Sequence, residues 1–426
     1  MNMKLKDIEA ILKKGLIQIF SANVINKFAQ FGTLALLARI LTKSEYGAFS
    51  YAQNIMSFVL LLEGVGVTTG ILQYCSISKD ENEKQEYLKF GLKFGVMVNT
   101  ILSVAMLLYG VFGKIAVEDS RTYVILLSMI PLLSIVYNSI QAYLRSDLRN
   151  TEYSILTTFN TIIYLILSVS LSYIFGVNGL ILGMYLSYLL TVLLGGWYIR
   201  KDLFKRKNKS EDDNRNESNI DIEKIKFLKY SIVTVITNAM SQILYLLDTQ
   251  LIGIFVRDEA VLASYKIATT IPFNIVFIPL SLMTFVYPYF AQNRNNKKWV
   301  RERTKQITYG LMTVNIVITI GAVSLSKIIV PLIFGEQYMD AVPCFNILMS
   351  GYLISGSFRI PFGNILASLG LVRANLINSV LSGVANIILD IILIMRYGSI
   401  GAAYATLLVF IISSVIHFIF IRRALK

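Results

Sequence analysis

From Gly15 to Arg422 the chain is a nearly unbroken series of apolar stretches, each about 20 residues long, the length that carries an α-helix across a hydrocarbon core of about 30 Å. Twelve such stretches are centred near residues 28, 60, 101, 133, 164, 188, 242, 275, 315, 354, 384 and 410. The alternating apolar and polar positions of a barrel strand are absent from these runs, and an open sheet could not satisfy its backbone groups in lipid. The pattern predicts an all-α polytopic membrane protein of about 12 transmembrane helices.

Composition agrees with that pattern: 55% of residues are hydrophobic and 15% charged, with a mean hydropathy of +0.61. The net charge of +14 has a topological origin. When the predicted loops are taken in turn, 30 of the 40 Lys and Arg residues fall on the side of the N-terminus and 7 on the other, with Lys27, Lys266 and Arg359 inside spans. The positive-inside rule then makes both termini cytoplasmic. Basic cytoplasmic loops face anionic headgroups, so the charge does not imply a nucleic-acid partner. Lys4, Lys6, Lys13 and Lys14 precede the first span without a small-residue cleavage site, so that span is expected to stay in the mature protein. Cys75 and Cys344 lie in opposite halves with no ligand at metal spacing, which predicts packing residues and no metal site.

The hydrophilic stretch 200–229, with KRKNKSEDDNRNESN, has the composition of a flexible linker and divides the chain into lobes of six helices each, 1–199 and 230–426. The lobes echo one another at a shift of about 214 to 223 residues. LTKSEYGAFSYA at Leu41 to Ala52 faces FVRDEAVLASYK at Phe255 to Lys266, and FGVNG at Phe175 to Gly179 faces YGSIG at Tyr397 to Gly401. Six is an even number, so such repeats are parallel and place a substrate path between the lobes.

Several spans carry polar residues in steps of three and four, which puts them on one helical face. Helix one offers Asn23, Asn26, Lys27 and Gln30, helix two Gln53 and Asn54, helix seven Asn238, Gln242, Tyr245, Asp248 and Thr249, and helix eleven Asn375, Asn378, Ser382, Asn386 and Asp390. Such stripes either line a hydrated lumen or tie helices together. The charged members are more telling, because an ionisable group at mid-span must find water or a partner. The expected lumen set is Asn23, Asn26, Lys27, Gln30, Gln53, Asn54, Tyr245, Lys266, Arg359 and Asn378. The expected coupling or gating set is Lys27, Glu63, Asp248 and Asp390, the carboxylates serving a proton or sodium ion. Lys27 and Asp248 occupy corresponding helices of the two halves and form either a gate or a structural ion pair. Pro272 and Pro279 predict kinks in helix eight, and Pro361 predicts a break beside Arg359, whose fork suits a phosphate.

No phosphate-binding loop of the G-x-x-x-x-G-K-[ST] type occurs, and no outer loop is long enough to house a catalytic domain. ATP-driven transport by this chain alone and enzymatic chemistry are therefore not expected, and no organic cofactor is implied.

The stretch LLARILTKSEYGAFSYAQNI followed by LLEGVGVTTGILQY, carried by Arg39, Tyr46, Gly47, Gly64 and Gly66, resembles the opening of the bacterial polysaccharide flippases. LDTQLIGIF with VLASYKIA is similar to that family's later helices at Asp248 and Tyr265, with Ala263 where a glycine is usual. The resemblance implies a member of the multidrug, oligosaccharidyl-lipid and polysaccharide exporter superfamily. Its expected activity is flipping of undecaprenyl-diphosphate-linked oligosaccharide repeat units by alternating access for O-antigen, capsule or exopolysaccharide biosynthesis. Expected partners are the lipid-linked oligosaccharide, membrane lipids, a polysaccharide polymerase and a chain-length regulator. Its alternatives are a cation-coupled multidrug exporter of the same superfamily and a membrane polysaccharide polymerase. The family's lumen is often cationic. Here Lys27, Lys266 and Arg359 balance Glu63, Asp248 and Asp390, which argues against a strongly anionic glycan.

Overall fold

The computed structural model describes residues 17–78, 80–204 and 217–425. Among these the secondary structure is helical throughout, with no strand. Among the described residues seven helices are long and apolar enough to cross a membrane, or eight when the bent pair Glu118–Leu127 and Ile130–Ser146 counts as one span. Large apolar side chains stand exposed on them, among them Phe112, Tyr173 and Phe285. A surface of this kind is stable against lipid tails and not against water. The protein is a multi-pass membrane protein.

The chain divides into two compact units. The first comprises Met1–Thr42 with Ala52–Ile243, and the second Lys43–Tyr51 with Leu244–Lys426. The linker expected at 200–229 is helical where it is described: α7 (Asn150–Phe204) runs into it and α8 (Glu217–Phe255) begins within it. Its central residues 205–216, and the basic N-terminal residues 1–16, lie outside the described residues.

In the first unit, α1 (Ile17–Ile40), the later part of α2 (Lys43–Leu60), α3 (Val67–Ile77), α4 (Glu81–Phe112), α5 (Arg121–Leu127) and α6 (Ile130–Ser146) precede α7, while the start of α2, Lys43–Tyr51, belongs to the second unit. The core gathers Val67, Ile71, Leu88, Ile135, Tyr143 and Leu156, with Cys75 buried among them. Phe227 brings the first turns of α8 into this core: it is fully buried and stacks on Tyr87 at 5.9 Å. Ion pairs fix the polar ends of the helices, Lys84 to Asp147 at 2.8 Å and Arg149 to Asp202 at 2.9 Å.

The second unit holds α9 (Glu259–Asn274), α10 (Phe277–Gln292), α11 (Lys297–Ser324), α12 (Ser326–Phe334), α13 (Val342–Ile354), α14 (Ile360–Ser368) and α15 (Val372–Ala424). The expected bend of helix eight is the break between Asn274 and Phe277, one turn beyond a proline within α9, Pro272. The start of α2 packs on the start of α9 so closely that a Cβ on Gly47 would lie 1.8 Å from the Glu259 carbonyl oxygen. Only glycine fits there, which explains the Tyr-Gly pair of the sequence motif. Lys43 and Ser264 both reach Asp340, at 2.6 and 2.9 Å, and fasten the same junction.

The pentapeptides FGVNG and YGSIG share one backbone shape. Gly176 (φ 59°, ψ −139°) breaks α7, and Gly398 (φ 58°, ψ −137°) breaks α15. Residues with a Cβ avoid this conformation, so each glycine turns a long helix within one residue. Unbroken, the 53 residues of α15 would extend about 80 Å, far beyond a core of about 30 Å.

Two spans lose their regular helix in mid-course. Between α2 and α3 the backbone passes through left-handed angles at Gly64, Val65 and Gly66. Between α13 and α14 the segment Ser355–Arg359 is a π-helical turn, where the break beside Pro361 was expected. Backbone groups freed in this way find no water in a bilayer and need a partner inside the protein. Asn99 of α4 supplies it in the first unit, accepting from the Gly64 amide at 2.7 Å and donating to the Pro131 carbonyl at 2.6 Å. In the second unit Asn315 of α11 donates to Ser357 Oγ at 3.1 Å and accepts from Tyr352 Oη at 2.7 Å, with its amide against Gly356. Both asparagines are fully buried.

Gly47→Ala is expected to cost about 1–3 kcal/mol or more through overpacking against a backbone atom, seen as a lower melting temperature in detergent. Asn99→Leu should cost a similar amount, about 1–3 kcal/mol for each polar group it orphans. Asn99→Asp, which keeps the acceptor for Gly64, should melt between Asn99→Leu and wild type.

Candidate functional site

The second unit brings together two of the carboxylates singled out in the sequence. Asp248 projects from the later half of α8 and Asp390 from α15 before its break, and both are buried. Tyr265 Oη and Thr406 Oγ1 donate to Asp248 Oδ2 at 2.6 and 2.8 Å. Asn386 donates to Asp390 Oδ2 at 2.9 Å. The Asp390 and Asn386 side chains lie beside the Asp248 carboxyl. The remaining oxygen of each carboxylate, Oδ1, meets no donor among the described residues.

Three helices converge here for local reasons, α8, α9 and both limbs of α15. The i,i+4 spacing of Asn386 and Asp390 puts amide and carboxylate on one face of α15. The glycine turn at Gly398 folds the chain back so that Thr406 returns to the same level. Asp258 caps α9 by accepting from the amides of Ala260 and Val261, which sets the start of the helix that presents Tyr265. The result is an oxygen-rich cluster of two acids, a phenol, a hydroxyl and an amide. Two carboxylates in low dielectric repel unless a proton or a cation sits with them, so the cluster is suited to take up either one.

A second buried acid stands in the first unit. Glu63 precedes the left-handed segment, where Ser134 Oγ donates to Oε1 at 2.5 Å and Asn138 Nδ2 donates to Oε2 at 2.8 Å. Both partners come from α6, one helical turn apart. Glu63 and the Gly64 amide held by Asn99 therefore form one polar patch around the break.

The remaining sequence candidates divide by environment. Asn23, Lys27 and Gln30 are exposed on α1, and Asn26 is buried on it, its Oδ1 without a donor among the described residues. On α2, Gln53 is half-buried and Asn54 buried. Lys266 is half-buried in the span that contains Tyr265. The side chain of Tyr245 lies outside the described residues. Asn378 spends its amide within the unit, donating to Ser413 Oγ at 2.8 Å and accepting from Ser382 at 3.2 Å. Asn375 donates to the Gly363 carbonyl at 2.9 Å. Much of the stripe of helix eleven thus ties helices together, and its end at Asn386 and Asp390 is the part that gathers acids. Arg359 stands with its guanidinium 5.0 Å from the Phe410 ring centre, and its carbonyl meets His417 Nδ1 at 3.2 Å.

Sequence reasoning did not single out Asn99, Asn315, Ser134, Asn138 or Thr406. For the two asparagines a signal existed: each is a lone amide in an otherwise apolar run, MVNTIL and TVNIVI, in the third helix of its half. Ser134, Asn138 and Thr406 carry no such mark, since a hydroxyl or amide in a span is common.

Comparison with known proteins bears on the whole chain. The family described as "Polysaccharide biosynthesis protein" matches residues 12–294, and that described as "Lipid II flippase MurJ" matches residues 214–426. The "Probable low-salt glycan biosynthesis flippase Agl15" of Haloferax volcanii is 23% identical over 415 residues, covering 95% of this chain and 82% of the relative. Among solved structures, "Lipid II flippase MurJ, inward closed conformation" superposes with a TM-score of 0.75 at 16% identity, covering 95% of this chain and 87% of the other. An inward-facing multidrug resistance MATE family transporter of the MOP superfamily gives a TM-score of 0.77 at 12% identity, covering 96% and 98%. At such identities the structures speak for the fold, and the family matches speak for kinship. The chain belongs to the polysaccharide flippase family of the multidrug, oligosaccharidyl-lipid and polysaccharide exporter superfamily.

Proposed function

We propose that this protein, a transporter and not an enzyme, flips undecaprenyl-diphosphate-linked oligosaccharide repeat units across the cytoplasmic membrane by alternating access. The product serves O-antigen, capsule or exopolysaccharide biosynthesis. The observation that carries the reading is the pair of family matches, to polysaccharide biosynthesis proteins and to a lipid II flippase, which together extend from residue 12 to residue 426. Twelve crossings with both termini in the cytoplasm fit the charge bias of the loops, and the balance of embedded charges favours a glycan without strong negative charge. A polysaccharide polymerase and a chain-length regulator would act on the flipped units.

Ion coupling is part of the proposal. Asp248 and Asp390 have the geometry for it, each with one carboxylate oxygen committed to protein donors and one left over. Binding of a proton or sodium ion would relieve their repulsion and favour the conformation in which they meet, which links the ion gradient to the transport cycle. Glu63 is the corresponding candidate in the first unit, beside a broken span able to change its backbone angles. A second reading, a cation-coupled multidrug exporter, is supported by the superposition on the MATE structure.

Deletion of the gene should leave lipid-linked oligosaccharide on the inner leaflet and remove the surface glycan. Altered drug tolerance with normal surface glycan would support the exporter instead, and single-unit surface glycans would support a polymerase. In proteoliposomes, Asp248→Asn and Asp390→Asn should each reduce gradient-driven translocation roughly 5–150-fold, the range of a coupling free energy, while cargo binding persists. Unchanged gradient dependence in both variants would refute the coupling assignment.

A further inference from the structure

The left-handed segment after Glu63 contains a residue that does not suit it. Gly64 (φ 53°), Val65 (φ 50°) and Gly66 (φ 80°) follow one another in this conformation. Glycine enters it freely, whereas the Cβ of a β-branched residue crowds the backbone there. Burial does not account for the valine, because Val65 is half-buried and lies outside the apolar core that includes Val67. A right-handed backbone suits valine. It would also make one continuous helix of Lys43–Ile77, which is already a single stretch long and apolar enough to cross a membrane.

The crowded form is held from three sides. Asn99 accepts from the Gly64 amide, and the Val65 amide donates to the Leu62 carbonyl at 2.9 Å. Gly66 lies against α8, where a Cβ would collide with the Ser231 carbonyl. The third hold is Glu63 itself, clamped to α6 by Ser134 and Asn138. Asn138 also donates to Ser134 Oγ at 3.1 Å, which leaves the serine hydrogen for Glu63. Both carboxylate oxygens thus meet donors, an arrangement that matches the ionised acid, which only accepts. Tyr188 of α7 is the titratable side chain beside it, and among the described residues no acidic or basic side chain of α3, α4 or α6 faces it.

We propose that Glu63 is a proton-operated switch for this span. As a carboxylate it holds residues 64–66 left-handed; on taking up a proton it lets Val65 return to a right-handed backbone and joins α2 to α3. The proton bonds to Oε1 and is donated to Ser134 Oγ, while Ser134 turns its own hydrogen to the carbonyl one turn back on α6, as helical serines do. Two charge-assisted hydrogen bonds become weaker neutral ones, and the crowding at Val65 then decides the conformation. A metal cation fits less well, since the hydrogens of Ser134 and Asn138 occupy both oxygens, whereas Asp248 and Asp390 each keep an oxygen without a donor. The inference rests on the reading of Glu63 as a coupling acid and states how that acid acts.

Two measurements on the full-length protein test it. In bilayers with isotope-labelled valine, solid-state NMR of the H–N–Cα–H torsion gives φ of Val65, whose signal is identified by its loss in Val65→Ile. Wild type at neutral pH should keep φ near 50°. Glu63→Gln, isosteric with the protonated acid, should move it to about −60°. Acidification of wild type should do the same, and sodium at fixed pH should not. In detergent, Val65→Gly should raise the melting temperature of wild type by about 1–2 °C by relieving the crowding. In the Glu63→Gln background it should lower the melting temperature instead, because glycine weakens a right-handed helix. A positive φ in Glu63→Gln, a response to sodium, or a melting shift of the same sign in both backgrounds overturns the switch. Gradient-driven translocation by Glu63→Gln separates the two readings. Lost coupling with φ unchanged refutes the switch and leaves Glu63 a coupling acid, whereas a moved φ with coupling intact supports the switch and removes Glu63 from coupling.

Discussion

A bilayer offers no water to a stray amide or carbonyl, and the irregular parts of this protein are organised around that constraint. Two of the interrupted spans, one in each unit, unwind in mid-course, at Gly64 to Gly66 and at Ser355 to Arg359. A fully buried asparagine stands at each interruption. Asn99 works directly on the backbone, accepting from the Gly64 amide that the break leaves without a helical partner and donating to the Pro131 carbonyl of α6. Asn315 works through side chains, holding Ser357 and Tyr352 on either side of Gly356. One side-chain amide carries a donor and an acceptor on separate atoms, so it can close such a gap in both directions.

Functional chemistry sits next to these interruptions or next to the glycine turns. Glu63 is the residue before the left-handed segment. Asp248 meets Thr406 because the chain reverses at Gly398, and it meets Tyr265 because α9 starts from a capped and tightly packed end. A regular helix presents its side chains at fixed intervals along one axis. Convergence of acids from distant positions requires that some helices stop, turn or unwind. The regular spans give the protein its place in the membrane, and the departures from regularity give it sites.

Much of this could be seen in the sequence. The apolar runs announce a multi-pass helical protein, the Tyr-Gly motif at Tyr46 and Gly47 marks a close approach, and the paired pentapeptides mark the turns at Gly176 and Gly398. Asp248 and Asp390 stand out as acids where lipid tolerates few. The polar stripe of helix eleven was harder to read, because periodicity places Asn378 and Asp390 on one face without saying what that face meets. Asn378 meets Ser413 and joins two helices, whereas Asp390 meets Asn386 and the Asp248 carboxyl. The partners lie far apart in sequence, on elements whose pairing no local pattern records.

The sequence by itself determined what kind of solvent surrounds this protein and which few charges had to be sheltered, because each side chain carries its own cost of transfer into lipid. Tertiary structure decided which sheltered groups share a partner: Glu63 with Ser134 and Asn138, Asp248 with Tyr265 and Thr406, Asn99 with the broken backbone at Gly64. These are properties of pairs and clusters, set by distances of a few ångströms between segments, and they exist only once the helices have packed.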